Sequence, residues 1–318
     1  MDESHAWQGP KDEQGLFSLA ELEPPLIKNL AARSVELFRD GTAHDRPLDG
    51  RVVGVLFAMT STRTRTAFTV GAIRLGAVPV TFGPGDLQLN TGEAVGDTGR
   101  VLGSMLDALV ARTAGPVDDL RELSRQGRFP VINAMADQEH PSQGVCDLAT
   151  LHLVFGDLEG IRLLYVGEGN NTAVALAHGL AGMPNAQVTF ATPTGYGVPA
   201  GELNAAKRRA EAVGARVEQI HDLALAPGEV DVVYTTRWQT TGTRKPDPAW
   251  REVFRPFYVD HNLMARWPDA LFMHDLPAHR GDEVTGDVLD GRRSLAWTQA
   301  SMKLFSAMAI LEWAAGSR

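Results

Sequence analysis

Short apolar runs rich in β-branched residues alternate with stretches of helical periodicity along most of this chain, and that rhythm limits its fold more than any other feature. From Arg51 onward the order is RVVGVLFAM, then STRTRTAFTVGAIRLG; VPVTF, then EAVGDTGRVLGSML; DALVART, then a polar helix; FPVINAM, then HPSQGVCDLATLHLVF. Each run is followed by enough residues for the crossover helix that a parallel strand pair requires. The rhythm restarts with RLLYVGEG, NNTAVALAHGLAGM, AQVTFATP, GELNAAKRRAEAVGA, RVEQIHD, DVVYTTR and ALFMHD. The sequence therefore predicts an α/β fold with two parallel sheets. The runs lack clean alternation, as expected of strands covered by helices on both faces. One helix, LIKNLAARSVELFRDG, precedes the first sheet, with Gly41 as its stop. No Pro/Gly/Ser linker separates the halves, so the helix over 141–155 is the natural bridge, and the apolar helical stretch 299–313 can pack on either half.

A length of 318 residues suits two domains, and 44% hydrophobic with 22% charged residues excludes disordered, collagenous and coiled-coil chains. Thirty Lys and Arg against thirty-nine Asp and Glu leave a net charge of −9, so no general attraction to nucleic acid or anionic membranes is expected. Any bound anion must be captured locally. The single cysteine, Cys146, cannot form an intramolecular disulfide, and no CxxC or His/Cys cluster has zinc spacing, so no metal is expected and a reducing cytoplasm fits. The amino terminus, MDESHAWQGPKDEQG, is polar and acidic where a secretory leader is basic and then apolar, and no apolar run approaches the roughly 18 residues of a membrane span. A soluble cytoplasmic protein is the expectation.

Four segments carry candidate chemistry. Ser61-Thr62-Arg63-Thr64-Arg65-Thr66 stands where a strand turns into a helix, so free helix amides, hydroxyls and guanidinium groups converge on a phosphate-sized anion; a capped surface helix with solvated arginines is the plainer alternative. His140-Pro141-Ser142-Gln143 again opens a helix after a strand and offers a donor for a carbonyl or developing oxyanion, or simply a proline capping turn. His274-Asp275-Leu276-Pro277-Ala278-His279-Arg280-Gly281 follows the strand ALFM, where open parallel sheets bind ligands; Asp275 can hold an ammonium there, or pair with Arg280 in a polar loop. Gly167-Glu168-Gly169-Asn170-Asn171-Thr172 invites a dinucleotide reading, but Thr172 replaces the third glycine and the next strand ends in Phe190-Ala191-Thr192 without an acid for a ribose. Asn170 and Asn171 become candidate polar ligands, with helix capping as their other role.

In order and spacing, STRTRT, QLNTGEAVGDTGRVL, HPSQGVCDLATL, GEGNN and HDLPAHRGDEVTGDVLDG resemble the aspartate/ornithine carbamoyltransferase superfamily, nearer its ornithine branch, from about Leu26 to the end. The resemblance implies two parallel-sheet domains joined by two helices: residues 1–140 with the C-terminal helix 299–318 as the carbamoyl-phosphate domain, and 141–298 as the acceptor domain. It also implies a homotrimer with shared active sites, and transfer of a carbamoyl group from carbamoyl phosphate to the amine of an amino acid without metal or organic cofactor. By resemblance, Ser61, Thr62, Arg63 and Thr64 hold the phosphate, Arg112 touches phosphate and carbonyl oxygen, His140 donates to that oxygen, and Gln143 partners the carbamoyl nitrogen. Leu276 offers its carbonyl to the same nitrogen, Gln88 reaches a neighbouring subunit's site, and Lys303 stands where the ornithine branch has an arginine.

The acceptor pocket departs from that branch, which typically carries aspartate at Thr236, Ser-Met-Gly at Thr240-Thr241-Gly242 and cysteine at Asp275. An α-ammonium left without its acid loses about 2–5 kcal/mol. Thr235-Thr236-Arg237-Trp238-Gln239 instead resembles the aspartate branch, in which Arg237 and Gln239 would bind a carboxylate. The expectation is an acceptor other than ornithine: Asp275 pairs with an amine of a short diamino acid such as 2,3-diaminopropionate, and Arg237 or Asn171 takes its carboxylate. The alternative is ornithine itself, giving citrulline, with Asp275 paired to Lys303. From other classes, a non-catalytic paralogue that binds these ligands remains open, whereas a nicotinamide oxidoreductase leaves STRTRT and HPSQG without a task.

Overall fold

A computed structural model of the chain describes residues 15–41, 46–240 and 243–316. It divides into two compact units, Met1–Ala149 with Met302–Arg318, and Thr150–Ser301.

The first unit runs β1 (Gly15–Leu16), α1 (Pro24–Asp40), β2 (Val52–Phe57), α2 (Arg63–Arg74), β3 (Val78–Phe82), α3 (Val95–Gly103), β4 (Ala108–Arg112), α4 (Val117–Gly127), β5 (Val131–Asn133) and α5 (Pro141–Phe155). Its five strands are all parallel, in the order β1-β5-β4-β2-β3. Phe17, Leu56, Leu109, Phe129 and Val131 build its core, and α1 stops at Gly41, whose left-handed φ of 74° turns its N–H back to Leu37. The strand after β2 lies on one side of it and β4 on the other. The chain therefore reverses direction between β2 and β4, and a crevice opens at their carboxyl ends, where α/β sheets bind ligands.

The second unit runs β6 (Arg162–Val166), α6 (Asn171–Ala181), β7 (Gln187–Ala191), α7 (Ala200–Glu211), β8 (Arg216–Ile220), β9 (Val232–Thr235), α8 (Trp250–Phe254), α9 (His261–Ala265), β10 (Leu271–His274) and α10 (Gly286–Leu289). Its parallel order, β10-β9-β6-β7-β8, reverses between β6 and β9. Leu164, Val166, Val233, Phe257, Trp267 and Phe272 form its main core. Both sheets start by the same device. Asp107 Oδ2 accepts from Val52 N–H and Oδ1 from Arg51, while Asp231 accepts from the N–H and guanidinium of Arg162.

The last helix, α11 (Ala296–Ala315), and α5 each contain a point of division, after Ala149 and before Met302; the sequence boundaries stood at 140 and 298. Two expectations need correction. Helices do not cover both faces of every strand: edge strand β3 leaves Val78 59% and Val80 38% exposed, and Pro79 is tolerated there because an edge position can do without a donor. The first sheet also gains β1, only two residues long and visible only through its pairing with Val131 and Ile132.

Candidate active site

In the first unit the motifs converge on the β2/β4 crevice. Phe57 and Arg112 end these strands side by side, and Ala58 N–H donates to the Arg112 carbonyl at 3.0 Å. Helix α2 begins at Arg63, and Thr62 before it makes no side-chain cap bond, so its first-turn amides are not consumed by a cap. That disfavours the plain capped-helix alternative. Arg63 and Ser61 are half-buried, Thr62 is exposed and Thr64 is buried. Thr64, Ser142 and Lys303 line one small cavity with Phe68 and Ser306.

His140 is buried, with Nε2 3.5 Å from Arg112 Nη1 and Nδ1 3.2 Å from Ser142 Oγ. A guanidinium only donates, so Nε2 is the acceptor here and Nδ1 carries the proton toward Ser142. Burial, then the charges of Lys303 and Arg112, hold the imidazole well below its usual range, so the ring is neutral. Gln143 is fixed from both ends: Lys303 donates to Oε1, and Nε2 donates to Asp147 Oδ1 at 2.6 Å. Gln88, by contrast, is exposed on the 3-10 turn Gln88–Thr91, its side chain engaged by Thr91 rather than by the cradle.

In the second unit the β6/β9 crevice gathers the other motifs. Asp275, 15% exposed, accepts from Thr236 Oγ at 2.9 Å and from Thr172 Oγ at 2.9 Å. The polar-loop alternative, Asp275 with Arg280, is not what forms, because Arg280 forks onto Asp290. Asn170 does cap α6, accepting from Thr172 and Ala173 N–H, and its Nδ2 stands 3.5 Å from Thr236 Oγ; Asn171 is the buried first residue of α6. Gly169 has a structural reason: a Cβ there would strike the backbone of Gly197 and Val198, so this glycine serves loop packing rather than a pyrophosphate.

Arg237 is half-buried, and Gln239 donates its amide to Thr243 O at 2.9 Å within its own turn. Thr240 donates through N and Oγ to Glu168 Oε2, at 3.2 and 3.0 Å; Thr241 and Gly242 lie outside the described residues. Leu276 has a φ of 52° and donates its N–H to His274 Nδ1 at 2.8 Å, while His274 Nε2 meets Glu283 at 3.2 Å. His274 thus sets the direction of the Leu276 peptide, a role sequence reading missed along with those of Thr172, Ser142 and Glu168. Among the described residues no group of three or more His, Cys, Asp or Glu is arranged to hold a metal, and no helix is long and apolar enough to cross a membrane.

Residues 14–153 match the carbamoyl-P binding domain, and residues 159–314 the Asp/Orn binding domain, of aspartate/ornithine carbamoyltransferases. The chain belongs to this family. It is a carbamoyltransferase. It is similar to the ornithine carbamoyltransferase of Acidothermus cellulolyticus, 42% identical over 280 residues that cover 86% of this chain and 88% of that protein. That of Pyrococcus abyssi is 38% identical over 300 residues, covering 93% and 94%. The solved ornithine carbamoyltransferase of Pyrococcus furiosus superposes with a TM-score of 0.90 at 34% identity, over 96% of this chain and 98% of that one. The fold expectation of two parallel-sheet α/β domains holds for this carbamoyltransferase.

Proposed function

We propose that this carbamoyltransferase moves the carbamoyl group of carbamoyl phosphate to ornithine, giving citrulline and phosphate. The observation that carries this reading is the group of relatives at 36–42% identity named ornithine carbamoyltransferase. The expectation of a shorter acceptor gains no support from them and gives way to ornithine. The physical support is that Thr236 bonds to Asp275 at 2.9 Å, so a carboxylate lies one hydrogen bond from that strand end.

On this reading the first-turn amides of α2 with Arg63 and Arg112 hold the phosphate. As the amine attacks the carbonyl carbon, negative charge grows on the carbonyl oxygen, and donors already fixed there, Arg112 and His140, lower the barrier without reorganising. To donate, His140 has to carry its proton on Nε2. Ser142 permits this without moving the ring, because its hydroxyl can rotate from accepting to donating toward Nδ1, and Arg112 releases Nε2 once its Nη1 turns to the bound phosphate. The carbamoyl nitrogen falls to Gln143, oriented by Lys303. The C–N bond forms as the C–O bond to phosphate breaks, and the amine's proton goes to the departing phosphate, a stronger base than a carboxylate.

Ser142→Ala should therefore lower kcat by about 3- to 10-fold, the worth of one hydrogen bond, and Ser142→Thr should restore it. Since the ring is already neutral, the wild-type pH–rate profile should lack a limb near the ordinary histidine value of about 6.5. An unaffected Ser142→Ala rate would remove the tautomer role.

One observation favours the second reading. Asp275 adjoins Leu276, so an ammonium held by Asp275 lies beside the carbonyl assigned to the reacting group, which suits a diamino acid with a short chain between its amines. Ureido product measured by mass spectrometry with ornithine, 2,3-diaminopropionate and aspartate decides between them. Product from the shorter diamino acid alone would replace the ornithine reading, and no phosphate release with any amine would make the protein a binder only.

The reading also makes the molecule a homotrimer with composite sites. Exposed Ile73, Val78 and Val80 on α2 and β3 supply apolar surface of the kind a neighbouring subunit would cover. Mixing inactive Arg63→Ala subunits with inactive Gln88-loop variants should regain activity, since some sites then combine two intact halves. Full activity from a monomer, measured by light scattering, would contradict this.

A further inference from the structure

Lys245, between β9 and α8, is buried where loop lysines are normally solvated: its side chain is 4% exposed. The ammonium lies over three aromatic faces, 5.0 Å from the Tyr196 ring centroid, 5.1 Å from Phe254 and 5.2 Å from Trp250, and it pairs with Glu168 Oε1. The other oxygen of the same carboxylate accepts from Thr240 N and Oγ, and Gly169 N–H donates to the Tyr196 carbonyl at 2.8 Å. Trp238, Trp250 and Phe254 form a small core of their own beside these groups. One cation thus ties together the loops that follow β6, β7 and β9, the first and last of which flank the second unit's crevice.

An apolar side chain would fill an aromatic box at lower desolvation cost than a lysine. What the lysine adds is direction. It fixes one Glu168 oxygen, so that the other faces Thr240, and Thr240 is four residues along the chain from Thr236, whose hydroxyl holds Asp275.

We propose that Lys245 and Glu168 are positioning residues for the acceptor: their caged ion pair holds the Thr236–Thr240 segment in its binding geometry before the amino acid arrives. This rests on the reading that the second unit binds the acceptor. Pre-ordering of a binding segment lowers the cost of association without touching the chemistry, so its loss should fall on acceptor binding.

The test compares Lys245→Met, Lys245→Arg, Glu168→Gln and the Met/Gln double variant by steady-state kinetics and by amide hydrogen exchange. Lys245→Met and Glu168→Gln should each raise the acceptor KM about tenfold or more with kcat changed less than about threefold and the carbamoyl-phosphate KM unchanged. The double variant should be no worse than the worse single, and Lys245→Arg should recover part of the loss. Exchange at Thr236 and Thr240 should quicken in Lys245→Met. Unchanged acceptor KM and exchange would overturn the proposal, as would equal losses for both substrates that arginine does not relieve, which mark a folding role. If the wild-type protein carbamoylates no amino acid, the functional reading fails, and the exchange measurement alone still judges the clasp.

Discussion

Arg63→Ala should keep less than about one hundredth of the wild-type kcat/KM for carbamoyl phosphate, the usual size of losing a charged donor aimed at developing negative charge. The chain carries a net charge of −9, so a phosphate dianion meets little other attraction and depends on the few cations placed locally. Arg63 opens α2, half-buried beside a Thr62 that leaves the helix amides uncapped, and it is not among the residues that α2 buries. Melting should therefore shift by no more than a few degrees, roughly that of a surface change under about 1 kcal/mol. Arg112→Lys makes the companion test: it preserves charge at the end of β4 but loses the planar fork, and should lie between wild type and Arg63→Ala. Phosphate-release rates alongside calorimetry are the measurement. Near-normal turnover by Arg63→Ala would remove the phosphate role from the STRTRT segment.

Much of the fold is legible in the sequence because parallel strands buried between helices leave continuous apolar runs that helical segments must separate. Those runs do not encode their neighbours. That STRTRT and Arg112 share a crevice follows from β4 pairing with β2, and that GEGNN meets Thr236 follows from β9 pairing with β6, both set by sheet order rather than periodicity. Short elements escape for a related reason: α8, α9 and α10 span too few residues to repeat a helical period, and β1 exists only through its partner.

The site divides the same way. Residues that act by type and place, Arg63 at a helix start or His140 after a strand, can be named from the chain alone. Residues that act through a distant partner cannot. Thr172 meets Asp275 across 103 positions and Lys303 meets Gln143 across 160, and neither pairing leaves a local mark. Thr172 drew notice only as a missing glycine, although its hydroxyl is one of two that aim the Asp275 carboxylate.

That carboxylate carries the second large effect. Asp275→Asn should lower kcat/KM for the acceptor by roughly 30- to 4,000-fold, the equivalent of about 2–5 kcal/mol for stripping a buried ammonium of its partner, with the carbamoyl-phosphate KM little changed. Thr172 and Thr236 already donate to Asp275, leaving its remaining lone pairs for one cationic guest, and an amide in its place offers one oxygen and a repelling NH2. The paired change Thr236→Asp with Asp275→Cys moves the acid to position 236, where the resemblance to the ornithine branch leads one to expect it. If ornithine is the acceptor, this double variant should retain or gain activity with it, because the ammonium keeps a carboxylate one hydrogen bond away from the original. If a shorter diamino acid is the acceptor, the same variant should lose that activity, since specificity here is the difference between a paired and an unpaired charge. An acceptor profile and rate unaltered in Asp275→Asn would show that the second unit recognises its amino acid without this carboxylate.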